Sequence, residues 1–87
     1  MRSLKAIMDD ENLAWRELCA IDDDIMTYEI RIADINKIPV DCPAKERDIE
    51  EYARMRNECL GKRLFAIDTL ACRREELREY FRELMKG

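Results

Sequence analysis

Residues 4–35 read LKAIMDDENLAWRELCAIDDDIMTYEIRIADI, and the spacing of their apolar side chains decides the fold. Taken at alternating steps of three and four, they give Leu4, Ile7, Glu11, Ala14, Leu18, Ile21, Ile25, Tyr28, Ile32 and Ile35. Glu11 alone interrupts the stripe. A helix turns once every ~3.6 residues, so the whole set falls on one face. A narrow stripe of this kind seeks another helix rather than a small molecule.

Working outward, Ser3 stands where its hydroxyl can cap the first free N–H groups of a helix. Pro39 disfavours helical geometry at Ile38, so the first helix should cover about 4–37 with a loop over 38–42. Asp41 or Cys42 then caps a second helix over about 43–85, with Pro43 in its first turn where a missing N–H costs nothing. Its best apolar register is Ile49, Ala53, Arg56, Leu60, Arg63, Ile67, Leu70, Arg74, Leu77, Phe81 and Leu84. Gly61 costs ~1 kcal/mol inside a helix, and marks a bend, a break or a close backbone approach.

The expected fold is all-α: one domain, an antiparallel two-helix hairpin resembling a coiled coil, or three helices if the second breaks at Gly61. If Ile35 faces residues 47 and 48, Glu11 comes within a turn of Arg74. Such a pair in an apolar seam fixes register more than it adds stability.

Composition bounds the function. The chain has 87 residues and a net charge of −4, enough for one small and marginal core that oligomerisation or a partner would reinforce. Residues 1–38 carry nine acids against five bases, and residues 39–87 eleven of each. The acids cluster at Asp9, Asp10 and Glu11 and again at Asp22, Asp23 and Asp24. This balance disfavours direct nucleic-acid binding and suits a basic protein surface. No secretory signal and no span of ~20 apolar residues is visible. A cytoplasmic, soluble protein with reduced cysteines is therefore expected.

Little in the chain supports catalysis. It has no histidine, which removes the usual general base and the commonest metal ligand. Cys19, Cys42, Cys59 and Cys72 include no C-x-x-C pair and spread along the hairpin, so they cannot converge on one zinc. Asp22-Asp23-Asp24 lacks the glycine and spaced oxygens of a calcium loop, and no glycine-rich phosphate loop occurs. The expectation is no enzyme, no metal and no cofactor.

Two resemblances bear on that expectation. Ile21-Asp22-Asp23-Asp24-Ile25 followed by Arg31 resembles the first helix of helical-class chorismate mutases. Arg16 and Arg31 are each displaced by one residue from that family's spacing, which turns them by ~100° on a helix. The resemblance would imply an anion pocket lined by Arg56, Arg63 and Arg74. Separately, the stretch from Arg63 to Leu77, with Arg74-Glu75-Glu76-Leu77 within it, resembles the last helix of flagellar and type III export chaperones. That would imply sequestering an amphipathic client helix.

Protein binding is thus the expected function, with another protein or a second copy as partner. In one version the acids Asp9, Asp10, Glu11, Asp22, Asp23 and Asp24 block a basic site, as some small acidic phage inhibitors do, anti-CRISPR proteins among them. In a second, surplus apolar residues beside the seam anchor a partner helix: Met8, Trp15, Leu64 and Phe65. A self-assembling structural protein is the third.

Overall fold

The computed structural model describes residues 2–86. It holds two helices, α1 (Leu4–Asn36) and α2 (Pro43–Lys86), packed antiparallel into a rod of 69 × 15 × 15 Å. No strand occurs among the described residues.

Each helix end has a local cause. The Ala6 N–H donates to Ser3 Oγ at 3.2 Å, satisfying one of the orphan donors of the first turn. At the other end of α1, the Lys37 N–H donates to Ala33 and Asp34 carbonyls, and the Ile38 N–H to Ile35, before Pro39 stops the ladder. The Glu46 N–H donates to the Cys42 carbonyl, so Pro43 sits in the first turn of α2. Lys45 closes the loop by donating to the Ile38 carbonyl at 2.8 Å and approaching Asp41 at 3.4 Å. The Asp41 carboxylate therefore faces a side chain rather than the helix start.

The α1 stripe packs as its spacing predicts. Ile7, Ala14, Leu18 and Ile25 are buried, with Leu4, Glu11, Ile21, Tyr28, Ile32 and Ile35 half-buried between them.

The α2 register differs from the one its apolar residues suggest. The inward positions are Ile49, Tyr52, Arg56, Cys59, Arg63, Ala66, Leu70, Arg73, Leu77 and Tyr80. One position per heptad is shared with the expected stripe; the other is shifted back by one residue. Cys59 and Ala66 are buried, whereas Leu60, Ile67, Phe81 and Leu84 are exposed. Helix separation follows the side chains at the contact, and small Ala14, Cys59 and Ala66 occupy buried positions of this seam. Larger neighbours remain outside.

Helix α2 runs unbroken through Gly61. A Cβ built there meets no atom within 4 Å, so Gly61 is neither a break nor a point of close approach.

Candidate partner-binding surface

Among the described residues, three ion pairs tie α2 to α1 or to Arg2 just before it, along the terminal part of the rod. Arg2 reaches Glu76 at 2.9 Å and also contacts Asp10. Arg74 Nε lies 3.3 Å from Glu11 Oε1, and Arg63 Nε lies 2.6 Å from Asp22 Oδ1. The Glu11–Arg74 contact sits at the seam edge, with the Arg74 side chain 45% exposed. The Arg74 guanidinium also lies 5.5 Å over the Trp15 ring, where the negative face of the indole attracts it.

These pairs engage several of the expected acidic site residues. Asp10, Glu11 and Asp22 face arginines across or beside the seam, and Asp9 faces Lys5 one turn away at 2.8 Å. The hydrogen bond and positive charge of Arg2 hold the Asp10 carboxyl below the usual carboxylate range. Asp23 and Asp24 are exposed and form no ion pair among the described residues.

The arginines expected to line an anion pocket do not meet. Arg63 and Arg74 lie on the one helix α2, about 16 Å apart along its axis at ~1.5 Å per residue, and each pairs with a different carboxylate of α1. Arg56 points into the seam, and its Nε is buried without a hydrogen-bond partner among the described residues. Of the thiols, Cys59 is buried, Cys19 half-buried, and Cys42 and Cys72 exposed. Among the described residues no three Cys, Asp or Glu side chains group as metal ligands would.

The apolar surplus divides between the two sides of the rod. Trp15, Ile67 and Ala71 line one open hollow, floored by Leu18 and Leu70 and edged by Arg74. Met8 lies seven residues before Trp15, and Leu64 seven before Ala71, so both share this side. Leu60, Phe81 and Met85 continue the α2 part at helical spacing. Trp15 is 47% exposed, Leu64 68% and Met85 89%, so this is uncovered apolar surface.

Phe65 belongs to the opposite side. It lines a separate hollow with Ile21, Ala66 and Thr69. The expected cluster of Met8, Trp15, Leu64 and Phe65 is therefore not one site: Leu64 and Phe65 are neighbours in sequence, about 100° apart on the helix. The residues the apolar spacing misassigned are Leu60, Ile67 and Phe81. Their signal lay in Cys59 and Ala66, whose small size fits them to the seam.

Among the described residues no helix is long and apolar enough to cross a membrane. The chain matches no protein-family model, and no curated protein or solved structure is significantly similar to it.

Proposed function

We propose that the chain is a non-enzymatic protein-binding module. Its working surface is the apolar side of the rod bearing Trp15, Leu64, Ile67 and Ala71. The observation that carries this reading is their continued exposure on one side of the hairpin, while Leu18, Ala66 and Leu70 occupy the seam beside them. Contiguous apolar patches of this kind mark interaction surfaces, and a groove between two helices fits a third. Trp15 is the natural anchor, being large, rigid and flanked by a cation.

A second reading has its own support. Exposed Asp23 and Asp24, on the acidic half of the chain, favour an inhibitor that blocks a basic protein surface. The two readings separate by salt and by mutation. The test captures a partner from the native host on immobilised chain, identifies it by mass spectrometry, and measures its affinity. Trp15→Ala is expected to weaken the complex by ~2 kcal/mol or more, with little change in added salt. Retention of full affinity by both Trp15→Ala and Leu64→Glu would sink the apolar reading. Loss of binding in Asp23→Lys with Asp24→Lys alone would establish the electrostatic one.

A further inference from the structure

The exposed strip on α2 runs Leu60, Leu64, Ile67, Ala71, Arg74, Arg78, Phe81 and Met85, at steps of four and three. Its ends carry the large apolar groups and its middle the small Ala71. Both cations arrive with their own counterions. Arg74 is held by Glu11 at 3.3 Å, and Arg78 by Glu75 at 2.9 Å. The strip therefore presents apolar surface with locally balanced charge, while the acidic excess of the chain lies in the half containing α1.

We infer, resting on the protein-binding reading above, that this strip docks a second copy of the chain, α2 against α2 in antiparallel, to form a four-helix bundle. In the register that centres the symmetry axis between Cys72 and Arg73, Leu60 of one copy meets Met85 of the other and Leu64 meets Phe81. Ile67 lies along the aliphatic stem of Arg78, and Ala71 leaves room for Arg74. Each contact occurs twice, as a two-fold interface requires.

The area suits a dimer. The strip is about 38 Å long at ~1.5 Å per residue. With Met8 and Trp15 of α1 beside it, it spans the 15 Å width of the rod. That is on the order of 600 Å² in projection, and more in accessible area, close to the ~800 Å² per partner of a standard interface. The hairpin's own core is small, so a second copy covers surface that its fold leaves wet.

Sedimentation equilibrium of the purified 87-residue chain from about 1 to 200 µM tests this, concentrations that span a common affinity range. The expected mass is twice the chain's 10.4 kDa. Small-angle scattering should give a maximum dimension of roughly 100 Å, because this register overlaps the copies only over the terminal part of each 69 Å rod. Leu64→Glu is expected to weaken association about 100-fold or more, by burying a charge. Leu64→Lys combined with Phe81→Glu should recover it, since 64 faces 81 only in the antiparallel arrangement.

A monomer throughout the range would overturn the second-copy proposal, leaving the protein-binding reading to its own capture test. A dimer of about 70 Å, or one indifferent to Leu64→Glu, would overturn the proposed face and register. The scattering measurement uses the natural sequence, so it decides the register even if a variant fails to fold.

Discussion

Between the termini and the Asp22–Arg63 ion pair, the hairpin buries Ile7, Ala14, Leu18, Ala66 and Leu70. From there to the loop, the buried residues among those described are Ile25 and Cys59. The terminal half is also laced by the pairs Arg2–Glu76, Glu11–Arg74 and Arg63–Asp22. The loop half instead holds a tilted Tyr28–Tyr52 contact, with ring centres 6.2 Å apart, and an Arg56 whose Nε lacks a partner. One continuous pair of helices thus contains a segment with more fully buried side chains and one with fewer. Helix length alone does not confer stability; the side chains in the seam decide it. The candidate binding face, with Trp15 and Leu64, lies over the half with more buried side chains.

The sharpest way to break this comparison is to cut the core in each half. Leu70, only 4% exposed, packs with Ala14, Leu18 and Ala66. Leu70→Ala is expected to cost about 3 kcal/mol, from lost burial and a cavity that cannot collapse fully. Ile49→Ala in the loop half should cost about 1 kcal/mol, because Ile49 is half-buried. Urea unfolding at one fixed protein concentration measures both, as association would add a concentration term. Equal losses would remove the distinction between the halves.

Next in size is Arg56. It occupies a seam position, yet no carboxylate pairs with it among the described residues. Replacing a poorly satisfied ionic group with an apolar one of similar volume is neutral or stabilising. Arg56→Leu is expected to raise stability by about 1 to 2 kcal/mol. The same change at Arg63 should gain less, since it releases the pair with Asp22 at 2.6 Å. A destabilised Arg56→Leu would show that Arg56 stabilises the seam despite lacking a carboxylate partner among the described residues.

Why the halves differ was partly legible in the chain. On α1 nearly every seam position is apolar, so spacing alone finds the face, and the short loop around Pro39 makes the two helices antiparallel. On α2 hydrophobicity misleads. Leu60 and Ile67 outrank Cys59 and Ala66 as apolar groups, but the seam buries the smaller residues. The face left for a partner adds the displaced Leu60 and Ile67 to Trp15 and Leu64, which the sequence already offers, so an error of one residue in register hides part of it. Sequence adjacency misled in the same way at Leu64 and Phe65, since Phe65 lines the hollow with Ile21 and Ala66 while Leu64 lies about 100° away, on the Ala71 side of the helix. The break considered at Gly61 does not occur, since the ladder of α2 continues through it.

Gly61 provides a smaller test near the boundary between the halves. A methyl group there meets nothing within 4 Å, and no positive φ requires glycine. Gly61→Ala is therefore expected to stabilise the hairpin by about 1 kcal/mol, mainly through backbone entropy. Hydrogen exchange should show the gain on both sides of residue 61 if α2 unfolds as one unit. A gain confined to residues 43–61 would mean that the two halves open separately.

The smallest expected effect concerns charge in the terminal half. Hydrogen bonding and charge from Arg2 hold Asp10 below the ordinary carboxylate range, and hydrogen bonds from Arg82 and then Arg78 do the same for Glu75. A carboxylate whose folded pKa is lowered stabilises the fold at pH above its unfolded value of about 4. That contribution is lost as pH falls through the folded value. Asp10→Asn should therefore lower the melting temperature slightly at pH 7, by an amount that shrinks as both chains are taken below pH ~3. Salt should shrink it too, because both partners are substantially exposed. A difference independent of pH would mean that Asp10 acts through packing, leaving the burial of Leu18, Ala66 and Leu70 as the main distinction between the halves.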